Sequence, residues 1–263
     1  MNGVLAPWAR PWRDASVLFI LLFAATMAAF ALDHRLLGGI SVWIKPLKFQ
    51  AAVVMHFGTL ILLAQLLPAA RRASRGFRWL VASSTGAALF EIGYIMLQAG
   101  RGRASHFNHE TVAEYALIAM GVGAVVLVLV PLVMGLWLWR DHGRWLRSDP
   151  LRLAAALGMV LSALTTLVVA GYLSAHGSHW VGQVAGDADG LPLVGWSQRV
   201  GDLRVPHFFA THGLQLVPLL GYALRRRGTR GALYVAVGAA AWLALTAMVF
   251  VQALQGKPFL VLG

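Results

Sequence analysis

Cysteine is absent from all 263 residues. That excludes disulfides, thiolate metal sites, iron–sulfur clusters and cysteine nucleophiles. Charge is scarce, and acid scarcer still. Only 12% of residues are charged, with 10 Asp and Glu against 22 Lys and Arg, where a soluble domain carries roughly 25% charged residues. A water-facing surface cannot be built from half the usual charge, so most of this surface must face lipid. The motifs of soluble enzymes are also missing: no phosphate loop, dinucleotide fingerprint, nucleophile elbow or His-Glu-x-x-His. What the chain does hold is 59% hydrophobic residues and 28 glycines, a composition common in closely packed membrane helices.

A membrane-spanning helix needs about 20 apolar residues at about 1.5 Å each. Seven segments qualify, at about 15–32, 47–67, 77–99, 112–139, 151–175, 205–224 and 232–254. The reading is an all-α polytopic membrane bundle in one transmembrane domain spanning 1–263. Arg10 and Arg13 precede the first segment and Ala29-Phe30-Ala31 resembles a signal-peptide cleavage site. The apolar run is long for a signal peptide, so a retained helix is expected.

The net charge of +12 would suggest nucleic acid in a soluble protein. Here the basic residues sit in short loops, so no nucleic-acid partner is expected and the charge reads as topology. Arg10, Arg13, Arg71, Arg72, Arg75, Arg78, Arg140, Arg144, Arg147, Arg152, Arg225, Arg226, Arg227 and Arg230 fall on one face. The positive-inside rule makes that face cytoplasmic. The N-terminus is then inside and the C-terminus outside, in the inner (plasma) membrane of a bacterium.

Polar residues favour the other face. Of nine histidines only His142 belongs to the cytoplasmic side. His34, His106, His109, His176, His179 and His207 lie at outer helix ends or loops, and His56 and His212 lie inside segments toward that end. At about 100° per residue, Lys45, Lys48, His56 and Thr59 form one stripe. Ser84, Glu91, Tyr94, Gln98 and Arg101 form another, Ser162, Thr166, Tyr172 and His176 a third, and His212 and Gln215 share a face. Counting from the outer helix ends puts His56, Glu91 and His212 roughly 10–14 Å deep, a shared depth that makes one common site the expectation. Glu91 carries the most weight, because a carboxylate inside a membrane helix faces the interior with a partner or is protonated.

Other features are weaker. Ser105-His106-Phe107-Asn108-His109-Glu110 is rich in metal-capable groups, and equally suits a polar helix start with Glu110 and Glu114 offsetting the dipole. Asp187-Ala188-Asp189-Gly190 resembles half a calcium loop without the later ligands. The long outer connection from about 176 to 204 has the length of a lid or binding loop, and its apolar residues suggest that it folds back on the bundle or the membrane.

Three stretches carry a resemblance: Trp43-x-Lys45-Pro46-x-Lys48-Phe49, Gln98-x-x-Arg101-Gly102-x-x-Ser105-His106-Phe107-Asn108, and Gly201-Asp202-Leu203-Arg204-x-x-His207-Phe208-x-x-x-His212-x-x-Gln215. They resemble signatures of an uncharacterised family of bacterial polytopic membrane proteins, which implies no activity. A second, architectural resemblance is to membrane hydrolases of the ceramidase and progestin-receptor type, which hold zinc by one early and two late histidines. His56 with His207 and His212 is similar, but the late pair here is five apart rather than four and lies on the sixth segment.

Three functions follow as expectations. In a haem b protein His56 and His212 are axial ligands, Lys45, Lys48, Arg101 or Arg204 pair with propionates, and quinone exchanges electrons. In a zinc hydrolase of lipid-like substrates, His56, His212 and either His207 or Glu91 hold the metal, with Glu91 or Asp202 as base. In a small-molecule or proton-coupled transporter or receptor, with a small hydrophobic ligand as one candidate, Glu91 carries a proton or cation. A fourth reading is an accessory protein whose polar interior only specifies packing.

Overall fold

The computed structural model describes residues 7–105, 111–143, 148–183, 186–188, 190–192 and 194–262; within 111–143, side chains are described from Ile118 onward. Eight α-helices are present among them: α1 (Arg10–Leu32), α2 (Ile44–Ala64), α3 (Ala69–Ala73), α4 (Arg75–Gly100), α5 (Thr111–His142), α6 (Pro150–His176), α7 (Arg204–Leu224) and α8 (Gly228–Leu254). Six stretches are long and apolar enough to cross a membrane: Pro7–Leu32, Ile44–Ala64, Arg75–Gly100, Ile118–His142, Pro150–His176 and Gly228–Leu254. The chain is therefore a multi-pass helical membrane protein. Helices suit that solvent because each backbone group is bonded within its own segment. The expected segment at 205–224 is α7, a full 21-residue helix, but it is not among the six. Its row of His207, Thr211, His212 and Gln215 dilutes its apolar character.

The helix starts follow local chemistry. The Ser74 side chain accepts from the Phe77 amide and opens α4. Asp149 accepts from the Arg152 amide, with Pro150 in the first turn, and opens α6. Gly177, at φ 70, closes α6 in the left-handed conformation that glycine adopts without penalty.

Two small ribbons were not expected from the sequence. β1 (Leu36–Leu37) pairs antiparallel with β2 (Ile40–Ser41), in register Leu36↔Ser41 and Leu37↔Ile40. The intervening Gly38 and Gly39 have φ of 62 and 85, as a type I′ hairpin turn demands. β3 (Trp180–Val181) pairs antiparallel with β4 (Gly201–Asp202) and so closes the long connection between α6 and α7 at its base. A Cβ on Gly201 would lie 2.0 Å from the Ala253 carbonyl oxygen of α8, so only glycine fits there.

The chain divides into two compact units, Met1–Val130 and Pro131–Gly263. In the first, fully buried Trp12 of α1 stacks on Phe57 of α2 at 6.1 Å and meets Phe77 of α4 edge-on at 5.9 Å. Its indole donates to the Ser84 hydroxyl at 2.8 Å. Aromatic burial and a satisfied N–H together fix how α1, α2 and α4 meet. A second polar tie, buried Gln50 Nε2 donating to Thr26 Oγ1 at 3.0 Å, joins α2 to α1.

In the second unit α6, α7 and α8 pack around Ala154, Val217, Val235 and Ala239. Small residues let the backbones approach, as membrane helices require where lipid is as apolar as the core. Gly221 of α7 lies against α6 so closely that a Cβ would sit 2.2 Å from Ala154 Cβ and 2.7 Å from the Pro150 carbonyl. Ser162 of α6 donates to the Ala210 and Thr211 carbonyls at 2.8 and 2.9 Å, and Trp242 of α8 donates to the Phe209 carbonyl at 3.0 Å.

This seam gives a direct comparison. Gly221→Ala overpacks α6 against α7 and is expected to cost about 1–3 kcal/mol. Gly86→Ala adds a methyl on α4 where nothing lies within 4 Å and removes helical glycine, so it is expected to be neutral or to stabilise by up to about 1 kcal/mol. Thermal melts of both variants in detergent check this; equal melting temperatures would refute the close seam.

Candidate functional site

Glu91 lies two-thirds along α4 and is 5% exposed. Its Oε1 is buried without a hydrogen-bond partner among the described residues. α5 meets it with Gly123, where a Cβ would lie 2.8 Å from Oε1. Glycine here makes the room that the carboxylate occupies. The nearby charge is Lys45, from the first turn of α2, which interacts electrostatically with Glu91. Lys45 also lies 5.7 Å from the centre of the Phe49 ring.

His56 of α2 hydrogen-bonds the backbone of Leu127 on α5. Pro131 lies inside α5 four residues later, and proline has no N–H to return to the carbonyl of residue i−4. That leaves the Leu127 carbonyl in need of a donor in an apolar setting, and the imidazole supplies it. The other nitrogen, Nε2, is buried without a hydrogen-bond partner among the described residues. Gly123 and Leu127 are one helical turn apart on α5. Glu91 and His56 thus address successive turns of one helix, and the first unit brings these two expected site residues toward a common stripe. α2 begins at Ile44, so His56 lies about 18 Å along it, deeper than the expected start at 47 implied.

The end of this unit at the α1–α2 connection is fastened by a clasp. Asp33 accepts from the Arg35 guanidinium at 2.6 Å and from the Trp43 indole at 2.8 Å, while Arg35 donates to the Gly100 carbonyl of α4 at 3.1 Å. The hydrogen bonds from Arg35 and then Trp43 hold the Asp33 carboxyl far below the usual carboxylate range. Lys48 and Arg101, expected to face an anionic group, are both exposed, Lys48 on the second turn of α2 and Arg101 at the end of α4.

In the second unit, α7 carries His207 and His212, which interact with each other electrostatically. His212 packs on the Phe208 ring at 4.0 Å between centroids and hydrogen-bonds the Gln215 side chain. His207 Nδ1 is buried without a hydrogen-bond partner among the described residues. No three His, Asp or Glu side chains gather to hold a metal ion among the described residues, so the expected zinc set of His56, His207 and His212 finds no support there. His106, Phe107, Asn108, His109, Glu110 and Asp189 lie outside the described residues, as do the side chain of Glu114 and the basic residues Arg144 and Arg147.

Asp202, the other expected base, has a structural setting. It is 1% exposed, accepts the Ser197 amide at 2.9 Å, and accepts Arg204 Nη2 at 2.7 Å and the Arg204 amide at 2.9 Å. Arg204 Nη2 also donates to Asp187 Oδ1 at 2.8 Å and to the Gly195 carbonyl at 2.7 Å. One guanidinium therefore gathers two carboxylates and a carbonyl, a use to which its planar fork is suited. His179 Nε2 stands 3.5 Å from Asp187. Burial by itself would raise the Asp187 carboxyl. The approach of His179 and the charge and hydrogen bond of Arg204 outweigh it and hold the carboxyl below its ordinary value. The sequence showed Asp187, Asp202 and Arg204 separately; nothing in their spacing revealed that they share one knot.

No protein-family model matches the chain, and neither does a curated protein or a solved structure.

The knot has a pH signature. Asp187 is depressed in the folded state, so its contribution is complete above the unfolded aspartate value of about 3.9 and is lost as pH falls through the lower folded value. The protection of the Gly195, Leu203 and Arg204 amides, taken as exchange relative to the intrinsic base-catalysed rate, is expected to be flat from about pH 5 to 8 and to fall only below about pH 4. Arg204→Ala, which strands the buried Asp202 carboxylate, is expected to cost about 3 kcal/mol at neutral pH and to remove most of that acid dependence. Unchanged protection of these amides in the variant would refute the knot.

Proposed function

We infer that this protein is a multi-pass transporter or receptor of the bacterial inner membrane in which Glu91 binds a proton, or the cationic group of a small ligand. The observation that carries the reading is the buried, unpartnered Oε1 of Glu91 beside Gly123. A carboxylate kept in a membrane helix is costly, and one oxygen left without a hydrogen bond is a place for a proton or a donor to bind. Lys45 supplies a compensating charge when Glu91 is ionised. In this reading α7 is the seventh span, its polar row lies in the protein interior toward the periplasmic face, the N-terminus is cytoplasmic and the C-terminus is outside. The arginine-rich connections support that orientation.

A second reading draws on His56. Ligating histidines ordinarily donate their other ring N–H to a carbonyl or carboxylate, which fixes the ring and its tautomer. His56 hydrogen-bonds the Leu127 backbone and leaves Nε2 open, as an axial ligand of haem b would. In this reading Lys48 and Arg101 pair with the propionates, and quinone is the natural redox partner.

Proton uptake by proteoliposomes under an imposed potential, followed with a trapped pH dye, tests the first reading. The wild type is expected to conduct, Glu91→Gln to lose at least about tenfold, and Gly123→Ala, which crowds the carboxylate, to fall between them. Equal flux in wild type and Glu91→Gln defeats the assignment. A haem absorbance band in purified protein that disappears in His56→Ala would instead establish the second reading.

A further inference from the structure

We propose that the turn between α7 and α8 binds the phosphodiester headgroup of an anionic phospholipid. Three residues, Arg225, Arg226 and Arg227, link the two helices, and Arg230 follows in the first turn of α8. Gly228, at φ 52, turns the chain so tightly that four guanidinium groups share one helix end. All four are exposed. Among the described residues no carboxylate pairs with any of them. Asp149 is brought to this end by Pro150, whose ring lies against Gly231, but its carboxylate is engaged by Arg152. Like charges so crowded repel, and an anion that bridges them is favoured.

Two features point to lipid as the source of that anion. Arg225 is held in place: its guanidinium lies 3.8 Å from the Tyr222 ring centre and donates to the Tyr222 carbonyl at 2.6 Å. Tyr222 is itself 55% exposed, in the position of an interfacial aromatic anchor. Below the charges, both helices present exposed apolar residues, Leu219 of α7 and Leu233 of α8, each at least 60% exposed. A headgroup phosphate at the arginines would lay its acyl chains along that surface. Guanidinium forks match phosphate oxygens two at a time, and basic clusters at the membrane end of spanning helices are recognised sites for anionic headgroups.

Native mass spectrometry of the full chain, purified in detergent and offered phosphatidylglycerol or phosphatidylcholine, tests this. The wild type is expected to retain phosphatidylglycerol preferentially. The triple variant Arg226→Gln, Arg227→Gln, Arg230→Gln is expected to retain about tenfold less or lower. The wild-type preference is also expected to weaken as salt rises, a readout that holds even if the variant inserts poorly. Retention in the variant equal to wild type, or a preference insensitive to salt, overturns the proposal. Inorganic phosphate that stabilises the wild type as much as the lipid does would overturn lipid as the source. Displacement of the lipid by short duplex DNA would reassign the surface to nucleic acid.

Discussion

A backbone carbonyl that loses its helical partner inside an apolar medium must find another donor, and much of this protein is arranged around such requirements. Pro131 deprives Leu127 of its amide partner, and His56 reaches from α2 to α5 to replace it. The other polar ties meet the complementary need, a partner for a buried side-chain donor. Trp12 donates to Ser84, Gln50 to Thr26, Ser162 to two carbonyls of α7, and Trp242 to a third. Each joins two helices at a defined height, because an unmatched polar group there costs several kcal/mol, roughly. Apolar packing alone would leave the helices free to slide.

Seen against that economy, Glu91 Oε1 and His56 Nε2 stand out. Both are buried and neither has a hydrogen-bond partner among the described residues; Gln50 Oε1 and Gln98 Oε1 of the same unit are also unmatched, but only Glu91 and His56 can take up or release a proton. Gly123 leaves space at Glu91, and Lys45 brings a countercharge from the first turn of α2. Such exceptions are where a ligand, a proton or a cofactor is accommodated. The second unit spends its polar residues differently. Its connection between α6 and α7 is held by Arg204, which neutralises Asp187 and Asp202 together, and by a short β-ribbon seated on the end of α8. Asp202 therefore serves the shape of the connection, with its carboxylate oxygens engaged by Arg204 and Ser197.

The helical membrane class and the approximate helices were legible in the sequence. They depend on composition and on a 3.6-residue period, both of which are local properties of the chain. Glu91 could be singled out for the same reason, since an acid in an apolar run is conspicuous by itself. Pro131 was equally visible, but its consequence was not. Which side chain answers the Leu127 carbonyl depends on which helix passes nearby. The hairpin at Gly38 and Gly39 carried a recognisable turn signal, obscured by strands of only two residues.

Tertiary structure alone decided the partners: His56 with Leu127, Gly123 against Glu91, Lys45 toward Glu91, and Arg204 between two aspartates. The residues in each pairing are far apart in sequence or separated by an irregular connection, and side-chain geometry is set by how helices cross. Sequence determined that this chain must hide its polar groups from lipid, because that follows from how few charges it has. Only the fold determined which groups hide with which, because hydrogen bonding is directional and reaches about 3 Å.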